Sequence, residues 1–255
     1  MTEYGLQMYS VRDITKENLK DALRRVAEMG YRYVEFAGFF DNTAEDVKSW
    51  LEEYGLKCSG THTGCAMITP DEIKKTIAYH KALGCTDLIV PGARYSTPEE
   101  LEYTVALLNY AEKKLTPEGI TLGYHNHSKE FYTTSFGKVA MEEILSRTNV
   151  HIEVDTFWLF NAGIEPIPYL EAHKDRIHVI HVKDGNFPTD AKRDFDTAHD
   201  GVTGTALGEG ITPVAAIRNW AIANGVRMVV ESEGLDPTGP EEVARCIRYL
   251  RTLEN

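Results

Sequence analysis

Short apolar, β-rich runs alternate with longer amphipathic stretches along the chain. The first run is YGLQMY (4–9), and the stretch after it, TKENLKDALRRVAEMG, places Leu19, Leu23, Val26 and Met29 at helical spacing. YRYVEFA (31–37) follows, then NTAEDVKSWLEEYG, which has an N-cap candidate at its start and Gly55 at its end. The remaining predicted strands are KCSGTH (57–62), DLIVPG (87–92), ITLGYH (120–125), VHIEVD (150–155), IHVIHVKD (177–184) and VRMVVESE (226–233). A helical pattern follows each of them, including helices near 137–147 and 166–175.

Eight strand–helix units with no linker-like break imply parallel β-sheet. They predict a single domain over 1–255 folded as an α/β barrel, the closed (β/α)8 TIM barrel. A doubly wound open sheet is the alternative. It usually places a Gly-rich phosphate turn after the first strand, where this chain reads SVRDIT.

In such a barrel the chemistry sits where the strands end. Strand two carries Glu35, strand three ends at His62, and strand five ends at His125, with His127 and Glu130 just beyond. Strand six ends at Asp155, strand seven carries His181 and Lys183, and strand eight ends at Glu231, with Glu233 two positions on. Alternation along a strand puts Glu231 and Glu233 on one side, and His181 and Lys183 likewise. Carboxylates gathered this closely repel one another unless protons or a cation neutralise them. A divalent metal with mixed oxygen and imidazole ligands is the economical solution. Mn, Mg, Co and Zn all tolerate such a donor set.

Several of these residues also have a plainer reading. Asp155 before Thr156 suits a helix cap, His181 a satisfied core histidine, and Lys183 a surface salt bridge with Asp184. Phe157 and Trp158 suit either core packing or an apolar wall against a sugar face. His151 and His178 fall near strand starts, at the inactive end, and His80, His173 and His199 read as packing or solvated residues.

Composition narrows the partners. Net charge is −12, which disfavours nucleic acid and a DNA-repair endonuclease role. No apolar run approaches the ~18 residues a membrane span needs, and the N-terminus lacks the pattern of a signal peptide, so a cytoplasmic location is expected. Cys58, Cys65, Cys85 and Cys246 form no CxxC pair and read as buried small apolar residues.

In order, GYRYVEF, LGYHNHSKEF, IEVDTFW, HVKD, LGEG and VVESEG resemble the xylose-isomerase-like barrel superfamily. The resemblance is to its sugar phosphate isomerase/epimerase branch, related to endonuclease IV, and it covers nearly the whole chain. It implies a divalent metal held by Glu, Asp, His and Glu from strands five to eight. Asp155, His181 and Glu231 match three of those places. In strand five many relatives carry Glu where this chain has His125; either His125 takes that ligand place or Glu130 reaches back from the loop, and Glu130 is the expected ligand, which frees His125 or His127 for acid–base work. Lys183 is expected to hydrogen-bond a substrate oxygen, Glu231 to share in proton transfer, and His62, Trp158 and Glu233 to contact substrate.

The implied activity is isomerisation or epimerisation of a small sugar or cyclitol through an enediolate. A dehydratase or lyase acting on a keto-sugar or 3-keto-glycoside is the alternative, as is a sugar-binding barrel without catalysis. Arg12 and Lys183 are the cations expected near the rim, and no phosphate-binding Gly-rich loop is present. The loop 185–206 is long enough for a lid or an interface element, and a homo-oligomer is possible.

Overall fold

A computed structural model describes residues 1–189 and 193–254. Seven strands come first: β1 (Gly5–Gln7), β2 (Tyr33–Phe36), β3 (Lys57–His62), β4 (Asp87–Val90), β5 (Thr121–His125), β6 (His151–Asp155) and β7 (Ile177–Val182). The loop after β7 contains a small hairpin, β8 (Asp184–Asn186) paired antiparallel with β9 (Thr203–Thr205), and β10 (Arg227–Val230) follows. β1 to β7 and β10 close into one parallel barrel in chain order, with β10 hydrogen-bonded to both β7 and β1. This is the predicted single-domain (β/α)8 barrel. Of the loop 185–206, residues 190–192 lie outside the described residues.

Most strands are shorter than the apolar runs that announce them. β1 stops at Gln7, for instance, because the Gln7 side-chain oxygen accepts from Tyr9 N at 3.1 Å and turns the chain into a 3-10 segment, Met8–Val11. Helix Ala44–Tyr54 starts at Thr43, whose hydroxyl accepts from Asp46 N at 3.1 Å, and ends at Gly55 in the left-handed region (φ 66°). The two helices expected near 137–147 and 166–175 span Ala140–Arg147 and Pro166–His173. Two short helices were not legible in the sequence: Arg12–Thr15, and Thr156–Asn161, capped by Asp155 directly after β6. Among the described residues no helix is long and apolar enough to cross a membrane.

The core forms in two places. Outward-facing residues such as Leu6, Val34, Ile152, Ile180 and Val230 pack under the surrounding helices. Inside the barrel, Ile89, Val179 and Val229 form a small apolar plug. Alternation then dictates what lies above it: two positions past Val179 is His181, and two past Val229 is Glu231. The plug is therefore the floor on which an ionic layer rests. Cys85 and Cys246 are buried as expected, whereas Cys58 and Cys65 are only half-buried; all four are free thiols.

Candidate active site

The lowest part of the ionic layer is a carboxylate hub. Glu153, on β6, is fully buried; its Oε2 lies 2.6 Å from His62 Nε2 and 3.0 Å from His125 Nδ1, and its Oε1 lies 3.2 Å from His181 Nε2. Glu35, on β2, completes it: its Oε2 accepts from Gln7 Nε2 at 2.8 Å and sits 2.6 Å from His181 Nε2. Burial opposes ionisation of Glu153, but the charges of His181 and His62 outweigh it and hold the carboxyl well below its usual range. Burial, reinforced by the Glu153 charge, pushes Glu35 up to about 7.

Above the hub, His125, Asp155, His181 and Glu231 each offer a ligand atom, and these atoms all lie within 4.8 Å of one another. A second grouping, His62, His125, Glu153 and His181, meets the same criterion but is internally hydrogen-bonded. The upper group fits a divalent ion better. With Nε2 tied to Glu35, His181 can turn Nδ1 toward Glu231 (3.4 Å), and with Nδ1 tied to Glu153, His125 keeps Nε2. Such carboxylate-backed imidazoles are the usual support of metal ligands. Asp155 adds a buried oxygen, Oδ2, that has no hydrogen-bond partner among the described residues. Its other oxygen caps the following helix, accepting from Phe157 N at 3.0 Å and Trp158 N at 2.9 Å. Asp155 is thus both the cap and the cluster member that the sequence offered as alternatives. Burial first, and the neighbouring Glu231 charge, raise its carboxyl to about 7 despite Lys183.

Lys183 is not the surface partner of Asp184. It is buried, 3.2 Å from Glu231 and 3.9 Å from Asp155 Oδ2, with Glu233 closer still, and it lies 4.9 Å over the Trp158 ring. Burial disfavours its charge, but these three carboxylates more than compensate and raise its pKa. Asp184 instead faces the LGEG loop and accepts from Gly185, Gly208, Gly210 and Thr212 backbone N–H groups at 2.9–3.0 Å. A Cβ on Gly210 would sit 2.3 Å from Asp184 Oδ1, so the close approach requires glycine there.

The HNHSKEF segment divides its labour differently from the expectation. His125 joins the cluster. Asn126 bonds β6 in both directions, accepting from Asp155 N at 3.1 Å and donating to Asp155 O at 3.2 Å. His127 stands at the rim, its ring 5.0 Å from His125 and 5.7 Å from Trp158. Glu130 does not reach back to the metal-type cluster. Its carboxylate accepts from His127 N at 3.0 Å and from Tyr124 OH at 3.3 Å, which fixes the turn.

Other expectations change too. Trp158 is buried beneath His127 and His199 and supports those rings, so it is not an open wall; Phe157 is core. The His199 ring, from the long loop, lies 4.7 Å from that of Trp158 at a tilt of 40°, and His199 lines a side cavity of about 480 Å³. Arg12 donates to Glu233 O at 3.1 Å, but the rim cations also include Lys75 on the main cavity and Arg94 and Lys129 on the side cavity. His80 is a buried, satisfied histidine between Thr61 Oγ1 (2.7 Å) and Thr76 O (2.8 Å). His151 pairs with Asp87 at 2.6 Å and stacks on His178 at the barrel's other end.

The main cavity holds about 830 Å³. His62, His125, His127, Glu231 and Glu233 line one part of it, and Phe39, Phe40, Met67 and Tyr79 line another. Glu153 is the residue that sequence reasoning missed, although it shares a strand face with Asp155 by the same two-residue alternation that paired Glu231 with Glu233.

Known proteins share this arrangement's scaffold. The chain is similar to a 2-oxo-tetronate isomerase of Haemophilus influenzae, 25% identical over 162 residues, which are 54% of this chain and 63% of that protein. It is also similar to an inosose dehydratase of Geobacillus kaustophilus, 23% identical over 186 residues, 64% of this chain and 60% of that protein. The matches thus span about six tenths of the length of these curated relatives. A crystal structure of a sugar phosphate isomerase/epimerase from Parabacteroides distasonis superposes with a TM-score of 0.79 at 26% identity, covering 98% of both chains. A sequence profile of the xylose isomerase-like TIM barrel matches residues 23–253, and the chain belongs to that family.

Proposed function

We propose that this protein is a divalent-metal-dependent isomerase or epimerase of a small sugar or cyclitol, working by proton removal next to a carbonyl. The observation that carries this reading is the convergence of His125, Asp155, His181 and Glu231, of which His125 and Glu231 line the main cavity, with one buried Asp155 oxygen that has no hydrogen-bond partner among the described residues. The names of the relatives, isomerase and dehydratase, are consistent with it. A divalent ion held by these four residues would supply Lewis-acid polarisation of the substrate carbonyl. His125 then takes the place expected of Glu130.

The chain's own groups supply the rest. Burial keeps the His127 imidazole neutral, and a cation nearby pushes the same way, so it can accept a proton at the rim. Lys183 stays charged and can donate a hydrogen bond to a substrate oxygen that gains negative charge. Glu233, partly exposed on the cavity beside Lys183, can accept from a substrate hydroxyl. His62, anchored by Glu153, presents its edge to the same space.

A lyase reading has one specific support: strand five offers an imidazole in place of a carboxylate, which removes a symmetric pair of carboxylate bases and suits one-sided acid–base elimination. Purified protein reconstituted with Mn, Co, Zn or Mg separates the readings. Deuterium uptake from heavy water into recovered keto-sugar supports proton abstraction, an interconverted sugar identifies the isomerase, and an unsaturated product identifies the lyase. Failure to retain a stoichiometric divalent ion overturns both.

A further inference from the structure

The main cavity is larger and more apolar than a small polyol requires. Its ionic end is the cluster around Glu231 and His125, but the space continues into a wing lined by Phe39, Phe40, Met67 and Tyr79. Phe40 and Met67 are 42% and 46% exposed, among the few large apolar side chains left open to solvent.

This wing is built. Phe39 packs against Phe36 (5.1 Å) and Tyr79 (4.3 Å). Residues 39–42 form a tight turn: Asn42 N donates to Phe39 O at 3.0 Å, and Asn42 Nδ2 donates to Phe39 O at 2.7 Å and to Phe40 O at 3.2 Å. Tyr79 OH donates to Asn42 O at 2.9 Å and ties the turn to the helix Ile73–Leu83. Both central residues, Phe40 (φ 51°) and Asp41 (φ 61°), stand in the left-handed region. For a bulky residue such as Phe this is a strained conformation that glycine would adopt freely. Strain of this kind collects at ligand clamps, and here it leaves an aromatic ring at the mouth of the cavity.

Resting on the isomerase-or-lyase reading of the same site, we propose that the substrate carries an apolar group, aromatic or of similar bulk, beside its sugar head, and that the Phe39–Phe40–Met67–Tyr79 wing receives it. The cavity is continuous, so one molecule spans both ends: hydroxyl and carbonyl groups meet the ionic cluster while the apolar substituent displaces water from the wing. A free monosaccharide would leave the aromatic end in contact with water and gain nothing from it.

The test is calorimetric titration of the Mn-loaded protein with two unreactive probes that share a head group, methyl β-glucoside and phenyl β-glucoside. Phenyl is expected to bind about tenfold or more tightly than methyl, from the added apolar area. Phe40→Gly is expected to bring the phenyl affinity down to the methyl level, with thermal stability unchanged or higher because glycine relieves the left-handed strain. A ring that served packing alone would instead lower stability on removal. Met67→Ala is expected to narrow the preference without abolishing it.

Equal affinities for the two probes, or no measurable binding of the phenyl compound, overturn the proposal. A Phe40→Gly protein that changes from oligomer to monomer in sedimentation also overturns it, since the wing would then seat a second copy of the chain. Manganese uptake is read in parallel: a loaded protein that does not distinguish the probes defeats this inference alone. A protein that takes up no ion defeats the functional reading, and the probe comparison still reports on the wing.

Discussion

Glu153 Oε2, fully buried, lies 2.6 Å from Nε2 of His62, a residue that lines the main cavity. The same oxygen receives His125 at 3.0 Å, so one carboxylate sets the orientation of two imidazoles. Glu153→Gln keeps the shape but removes the charge and one acceptor. It is expected to weaken divalent-ion binding by ~10–100-fold. Ion titration of a variant shown to be folded by circular dichroism checks this; affinity within twofold of wild type would remove Glu153 from the metal's support.

Asp155 serves two structures with two oxygens, and substitutions can separate them. Asp155→Asn keeps an oxygen for the Phe157 and Trp158 amides, so it should retain most of its stability while losing ion binding. Asp155→Ala loses the cap as well and should unfold with ~1 kcal/mol less stability than the Asn variant. Denaturant titrations with and without metal distinguish the two. Equal stability of the pair would mean that the cap contributes nothing.

Buried Lys183 neutralises Glu231 and Glu233. Lys183→Met leaves these carboxylates uncompensated and is expected to cost ~3–5 kcal/mol without metal. A bound divalent ion supplies positive charge in the same place and stabilises only the folded form. Metal should therefore raise the melting temperature of Lys183→Met by more than it raises that of wild type, and chelation should lower both. Equal increments would show that lysine and ion do not share those carboxylates.

His80, which borders the main cavity but belongs to neither His–carboxylate cluster, gives a pH dependence of its own. Burial lowers its pKa below the ordinary 6.5, so the folded protein holds it neutral while the unfolded chain takes up a proton. The unfolded state then binds more protons, and stability falls as pH drops below 6.5, continuing down to the folded pKa; above 6.5 the contribution is complete. His80→Asn lacks this proton uptake and should show a shallower loss of stability between neutral and acidic pH. Parallel curves for the two proteins would place the acid sensitivity elsewhere.

The barrel was legible because alternating apolar and amphipathic segments leave few other ways to bury eight parallel strands, and its polar rim followed from where the strands end. Direction was harder to read than position. Glu130 and His125 both sit at the right end of β5, but only a folded turn shows that Glu130 spends its carboxylate on Tyr124 and His127. Lys183 and Asp184 are adjacent in sequence, yet alternation sends one inward to Glu231 and the other to the LGEG loop. Glu153 escaped notice because it lies inside a strand two residues before the Asp that marks the strand's end.

The Asp184 carboxylate, which gathers four backbone amides, also has an architectural consequence. With β8 and β9 paired from Asp184–Thr205 to Asn186–Thr203, both feet of the long loop are fastened to the barrel independently of what lies between them. Between these feet, Phe187 packs on Phe157 and His199 lies against Trp158, so the described part of the loop is coupled to the rim and a change in its length would move the residues that border the side cavity.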